Sequence, residues 1–198
     1  MKILKYDIRI DTLLKRGIKT IKDDFFIALI TGYQGSGKNF FSCMIIDSLK
    51  NRNIITNVHS LNIPNRKIHY FTKIEELYQI NDDNCIVLID ELSKKYPKES
   101  KQDRAFYSWL QQSRKHRRYV FMITQEYIQV PTWLRGVANK VYTTQKMKFL
   151  PLFKTSLGNP VLNEDTKEWE TENYLYFIYK RVKKYANMYD TFEVIDSL

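Results

Sequence analysis

Cysteine is nearly missing from this chain. Its 198 residues hold two, Cys43 and Cys85, and two alone build no disulfide framework. Both sit in apolar runs, where a thiol serves as a small buried side chain. Histidine is scarce as well: His59, His69 and His116 show no metal-ligand spacing with the cysteines. No hydrophobic run approaches the ~18 residues that a membrane helix needs. The opening Met1-Lys2-Ile3-Leu4-Lys5 spaces its charges too closely for a signal peptide. A reducing, cytoplasmic setting is expected from these absences. Acid is in deficit, with 22 Asp and Glu against 32 Lys and Arg and a net charge of +10. That excess favours a polyanionic partner, nucleic acid or an acidic membrane surface. Hydrophobic residues make up 43 % and charged residues 27 % of the chain, the balance of a folded domain with a sizeable core. There are no repeats, low-complexity tracts or obvious linkers.

Glycine is the most informative shortage. Of six glycines, three fall within Gly32-Tyr33-Gln34-Gly35-Ser36-Gly37-Lys38-Asn39. An apolar run, Phe25 to Ile30, precedes this stretch, and a helical pattern, Phe40 to Leu49, follows it. Strand, glycine loop and helix in that order are the context of a phosphate-binding P-loop. Glycines let backbone N–H groups turn inward as an anion nest, and the helix N-terminus adds free donors and a positive dipole end. Lys38 then reaches the outer phosphates as a point charge. One position departs from the pattern. The residue after the lysine is ordinarily Ser or Thr, whose hydroxyl ligates Mg²⁺, and here it is Asn39. An amide oxygen ligates hard cations too, but it stands farther out, so binding of ATP is better supported than efficient hydrolysis.

About fifty residues later, Cys85-Ile86-Val87-Leu88-Ile89 runs into Asp90-Glu91. Four unbroken aliphatics read as a strand buried on both faces. Its two carboxylates are the pattern of a Walker B strand, with Asp90 holding Mg²⁺ and Glu91 deprotonating the attacking water. Tyr119 to Ile123 is another buried strand, ending in Thr124-Gln125. Between the two lies the most basic segment. Residues 92–118 carry nine Lys or Arg against two acids, with Lys94, Lys95, Lys98 and Lys101 expected in a loop around Pro97. Phe106, Trp109, Leu110 and Ser113 mark one face of a helix, Trp109 reading as core, and Arg114-Lys115-His116-Arg117-Arg118 follows it. The lysines with Arg117 and Arg118 are candidates for DNA contact.

Elsewhere, residues 1–24 form a basic amphipathic arm, either packed on the domain or offered to a neighbour, with packing favoured. Strands are expected over Ile54 to Val58, Ile68 to Phe71 and Lys140 to Thr144. A helix is expected from Thr72 to Gln79 with Glu75 in a capping box, and a short helix after Pro131. Beyond residue 150 short strands are expected, with turns at Gly158-Asn159-Pro160 and Asn163-Glu164-Asp165.

Alternating strands and helices after a P-loop imply an α/β sheet with ligands at the strand C-terminal ends. The polar sensor strand after Asp90-Glu91 resembles the additional-strand, catalytic-glutamate class of P-loop ATPases. That likeness implies a RecA-like fold with a mainly parallel central sheet and a short C-terminal β extension. Ser113-Arg114-Lys115 ahead of a strand ending in Thr-Gln resembles the FtsK–HerA superfamily of DNA-pumping ATPases, with Ser113 in place of that family's glycine. The Thr-Asn pair after the second strand and Arg135 make the chain most similar to zonula occludens toxin-like phage ATPases and small viral genome-packaging ATPases.

The likeness covers residues 25–145 as the ATPase core, leaving 146–198 as an extension of the same domain. It implies ATP and Mg²⁺ as ligands. Lys38 would bind the β- and γ-phosphates, Gln125 would sense the γ-phosphate, and Arg114 would act as an arginine finger in a neighbour's site, with Arg117 and Arg135 as second choices. A finger in trans implies a homo-oligomeric ring, a hexamer by family likeness, with DNA and a portal, capsid or membrane assembly partner. Toxin-like members often continue into a membrane helix, so a soluble packaging motor is expected here. Two functions follow: a DNA translocase of a virus or mobile element, or an ATP-binding assembly or anchoring factor that does not pump, which Asn39 favours. A small-molecule kinase would leave Glu91, Gln125 and the basic segment unexplained.

Overall fold

The unbroken aliphatic runs become the middle of one eight-stranded sheet. A computed structural model of the chain describes residues 25–150, 152–180 and 183–190, so the amphipathic arm expected over 1–24 lies outside the described residues. Strands β1 (Phe26–Thr31), β4 (Ile86–Ile89) and β5 (Tyr119–Ile123) are buried along their whole length. They lie side by side in the order β4-β5-β1, which explains why none shows an alternating pattern. Outward from β4 come β2 (Ile54–Thr56) and β3 (Ile68–Tyr70). On the other side β6 (Lys140–Lys146) continues the parallel set beside β1. An antiparallel hairpin, β7 (Leu152–Leu162) and β8 (Trp169–Lys180), then completes the sheet.

Alternation within β1 sorts the core into two layers. Phe26, Ala28 and Ile30 pack on helix α1 (Lys38–Ser48), while Ile27 and Leu29 face Phe106, Trp109 and Leu110 of α3 (Arg104–Gln112). Asp103 caps α3, accepting from the N–H groups of Ala105 and Phe106 at 3.0 and 3.1 Å. Ser113 is buried at its end, so all four residues of the expected apolar face point inward. Cys43 and Cys85 are buried, and burial pushes their thiols up to about 12 and about 11, so both stay protonated and inert.

Three local expectations are corrected. Residues 74–79 form a 3₁₀ helix rather than an α-helix, and Glu76, not Glu75, reaches back to the Lys73 N–H at 3.0 Å. Glu75 instead pairs with Lys95. Lys94 and Lys95 lie in a helical turn, α2 (Leu92–Lys95), not in a loop. Gly158-Asn159-Pro160 is no turn. The chain passes through it as one 11-residue strand with a register shift at Leu157/Gly158. Gly158 has its backbone so close to β8 that a Cβ would stand 2.6 Å from the Glu172 carbonyl oxygen, the usual reason for glycine at a bulge. Beyond Gly158 β7 has β8 alone as its neighbour, so the missing N–H of Pro160 is tolerated on an open edge. Helix α4 (Thr132–Val137) precedes β6, and α5 (Lys183–Ala186) follows β8.

Candidate nucleotide site

The strand order explains the site. β5 is inserted between β1 and β4, and all three are parallel, so three loops leave the same edge of the sheet in adjacent positions. These are the glycine loop after β1, Asp90-Glu91 after β4 and Thr124-Gln125 after β5. Backbone bonds lock them together. The Gly32 N–H donates to the Gln125 carbonyl at 2.9 Å, and the Thr124 N–H to Ile30 at 3.0 Å.

Within the loop, Gly32, Gly35 and Gly37 take φ of 148, 75 and 92°. Two of them are also steric necessities. A Cβ on Gly32 would lie 2.4 Å from Ser36 Oγ, and one on Gly37 would lie 2.7 Å from the Phe153 ring. A Cβ on Gly35 would meet nothing within 4 Å, so the mouth of the loop is open. The Lys38 ammonium curls back onto the Gly32 and Tyr33 carbonyls at 2.6 and 3.1 Å. Burial pulls its pKa below the ordinary lysine value, opposed by Asp90 and Glu91 nearby.

Asp90 is 5 % exposed, and burial holds its carboxyl above the usual range. Asn57 grips its backbone on both sides, accepting from the Asp90 N–H at 2.8 Å and donating to its carbonyl at 3.0 Å. Its Oδ1 accepts from the Glu91 N–H at 2.7 Å and its Oδ2 from the Tyr189 hydroxyl at 3.0 Å. Glu91 itself adopts a left-handed backbone, φ 53° and ψ 40°. In a non-glycine residue this costs of order 1 kcal/mol, and the bond to Asp90 Oδ1 helps to hold it. The Glu91 carboxylate is ion-paired with Lys94 three residues on.

Among the described residues' buried polar atoms without a hydrogen-bond partner, Asn39 Oδ1, Thr124 Oγ1 and Glu91 Oε2 lie at this edge of the sheet. Asn39 stands in the first turn of α1, next to the glycine loop, and Thr124 and Glu91 follow β5 and β4; buried oxygens of this kind are costly unless something else satisfies them. With Lys38 positive, Asp90 and Glu91 negative and an open glycine nest, the residues present fit a triphosphate and a hard divalent cation.

Several expected site residues stand elsewhere. Arg118 is 3 % exposed. Its guanidinium donates to the carbonyls of Asp82 and Ile80 at 3.2 and 3.1 Å and stacks on Trp109, so it fastens a turn and is not free for DNA. Arg135 is equally buried, contacting the Trp169 carbonyl, Thr132 and the Tyr127 ring, which removes it as a finger candidate. Lys94 and Lys95 are engaged by Glu91 and Glu75, so Lys94 is not remote from the phosphate stations. The basic segment does not form one patch. Helix α3 carries the chain from the P-loop edge to the opposite edge, leaving exposed Lys98 and Lys101 near one end and exposed Arg114 and Arg117 at the other. Arg114 lies over the Phe25 ring at 5.5 Å, at the far end of β1. Six residues of strand, at ~3.3 Å each, put it about 20 Å from its own P-loop.

Thr144 was not anticipated. Its hydroxyl donates to the Thr31 carbonyl at 3.1 Å and accepts from Ser36 Oγ at 2.8 Å, so β6 props the glycine loop from below. Phe153 and Tyr179 of the hairpin stack with Phe40 at the start of α1. The pattern of polar residues in β6 alternates too weakly to single out Thr144. Phe153 and Tyr179 carry no motif at all. Asn57 was visible only as half of a Thr-Asn pair.

The comparisons with known proteins agree with this geometry. The chain matches the family model "Zonular occludens toxin (Zot)" over residues 26–180, a span that takes in the hairpin as well as the expected core. No curated protein matches the sequence. Among solved structures, it resembles the N-terminal domain of zonular occludens toxin from Neisseria meningitidis, at 21 % identity and TM-score 0.60, over 83 % of this chain and 98 % of that one. It also resembles the genome packaging NTPase of Sulfolobus turreted icosahedral virus 2 in complex with ATP-gammaS, at 11 % identity and TM-score 0.54, over 76 % and 97 %. The RadB recombinase aligns at 13 % identity and TM-score 0.51, over 80 % and 88 %. These likenesses establish a RecA-like P-loop fold, with β5 as its additional strand. With more than three quarters of its length under the family model, the chain belongs to the zonular occludens toxin (Zot) family.

Proposed function

We propose that this protein is an ATPase of a virus or mobile genetic element that uses ATP hydrolysis to move DNA, in packaging or in export. The observation that carries the reading is the placement of Gln125 between Lys38 and Asp90-Glu91 on three adjacent parallel strand ends. Lys38 leaves the loop carbonyls for the β- and γ-phosphates. Asp90 and Asn39 would hold Mg²⁺, which when bound would supply charge neutralisation for the phosphates. Glu91 takes the proton of the attacking water as that water's oxygen bonds to the γ-phosphorus and ADP departs. Glu91 must first be freed from Lys94, which makes that ion pair a brake on idle turnover. Gln125 hydrogen-bonds the γ-phosphate side.

Arg114 stands at the edge opposite its own site, which supports a role in a neighbouring subunit of a ring, where a finger supplies roughly 10³–10⁵ in rate. A packaging NTPase and a recombinase share this fold, and the net charge of +10 suits a DNA partner. One observation favours the second reading, an ATP-binding assembly factor that does not pump: Asn39 stands where a hydroxyl ligand is usual.

Steady-state ATPase activity with and without duplex DNA separates the two. The motor reading expects hydrolysis that rises with DNA, no nucleotide binding in Lys38→Ala, and retained binding with lost turnover in Glu91→Gln. It also expects Asn39→Thr to raise the Mg²⁺-dependent rate at similar ATP affinity. ATP binding with no turnover in any condition would transfer the case to the assembly factor.

A further inference from the structure

The segment after β8 returns across the back of the nucleotide site. Lys184 Nζ and the Tyr185 hydroxyl both reach Asp47 Oδ2 on α1, at 2.7 and 3.2 Å. Met188 is 4 % exposed within the core layer of α1, and its carbonyl accepts from the Asn62 N–H at 2.9 Å. The Asp190 N–H donates to Ser60 Oγ at 3.1 Å. These anchors fix residues 183–190 to α1 on one side and to the loop after β2 on the other. The strap delivers one hydroxyl to the chemistry: Tyr189, 3.0 Å from Asp90 Oδ2. It lies past residue 180, where the family match ends.

We propose that Tyr189 is a positioning residue of the metal site, setting the rotamer of Asp90 from the C-terminal strap. The inference rests on the reading of Asp90 as the Mg²⁺-holding carboxylate. Within its own loop the Asp90 carboxylate is held at one oxygen only. Asn57 holds only its backbone, and the Glu91 N–H occupies Oδ1. Tyr189 adds a second hydrogen bond, at Oδ2, so that the carboxylate plane is held at both oxygens. With it, each oxygen of Asp90 accepts one hydrogen bond and keeps a lone pair that would be available to a cation or its water shell. A hydroxyl suits this task because it donates one bond without adding a charge that would compete with the metal. Orientation of a metal-holding carboxylate by an outer hydrogen bond is commonly worth 10–100-fold in metal affinity.

The test is equilibrium binding, so it does not depend on turnover. A fluorescent ATP analogue is titrated with the full chain in EDTA and then at rising Mg²⁺. Tyr189→Phe is expected to leave the Mg²⁺-free affinity unchanged and to raise the half-saturating Mg²⁺ by about tenfold. Tyr185→Phe, which loses the hydroxyl bonded to Asp47, is expected to match wild type and controls for loosening of the strap. An unchanged or lowered Mg²⁺ requirement in Tyr189→Phe overturns the proposal, the latter by making Tyr189 a plug against the cation. An equal shift in Tyr185→Phe also overturns it, because general loosening would then explain the effect. Failure of wild type to bind the analogue at all sinks the nucleotide-site reading instead, so the two failures are distinguishable.

Discussion

Asp90 is a carboxylate kept under strain by its own surroundings. Burial raises its pKa, and the hydrogen bonds from the Glu91 N–H and Tyr189 only partly offset this. The sign of the stability effect follows. A carboxyl with a folded pKa above its unfolded value stabilises the native state only where it is protonated in both states. That contribution is lost as pH rises through the folded pKa. Above the ordinary carboxylate range the burial of Asp90 therefore costs the ligand-free protein stability. Asp90→Asn is expected to raise the Tm of the ligand-free protein at neutral pH. The gap to wild type should close as pH falls below the ordinary carboxylate pKa, while Mg²⁺-dependent nucleotide binding is lost. Thermal melts of both proteins across that range check it, and a gap independent of pH would contradict it. The same residue shows why chemistry exceeds motif. Asp90 was legible as the polar end of a buried strand from four aliphatics and two carboxylates. Its burial, its grip by Asn57 and its contact with Tyr189 come from residues 33 and 99 positions away, and no local pattern carries such distances.

Elements were read well where one physical signal dominated. β1, β4 and β5 are apolar throughout because both faces are covered, and α3 shows its apolar face at helical spacing because one side meets the sheet. The C-terminal hairpin was misread because Gly158 and Pro160 signal a turn in isolation. What lets the strand continue is the close approach of β8, which is tertiary. The same hairpin, with β6 beside it, contributes more to the site than an appendage would. Thr144 on β6 and Phe153 on β7 brace the glycine loop and the first turn of α1. Thr144→Val removes the hydroxyl between Ser36 and Thr31 at nearly constant volume. Each lost bond is worth roughly 1 kcal/mol, so ATP affinity should weaken by about fivefold to tenfold. Isothermal titration measures this directly, and an unchanged affinity would show that the loop needs no support from β6.

At the scale of the whole molecule, charge is divided between two edges. Lys98 and Lys101 sit toward the nucleotide edge, and Arg114 and Arg117 toward the opposite one, while Arg118 and Arg135 serve the core. The sequence shows the sum of these charges in one run of residues, but a helix crossing the sheet separates them. The account therefore predicts a ring in which the Arg114 edge of one subunit meets the nucleotide edge of the next. Arg114→Ala and Glu91→Gln should each lose turnover alone. Mixed, they should recover part of it, because some interfaces then pair an intact Glu91 site with an intact Arg114. Activity that does not exceed the sum of the separate variants would place Arg114 outside catalysis.

The central claim, that ATP turnover at this site moves the protein along DNA, is tested most directly by displacement of a third strand from a duplex carrying a short triplex. Wild-type protein with ATP and Mg²⁺ is expected to strip the third strand at a rate that depends on ATP. Glu91→Gln is expected to bind DNA and ATP and leave the triplex in place. Hydrolysis of ATP by the wild type on the same DNA with the triplex left intact would contradict the account.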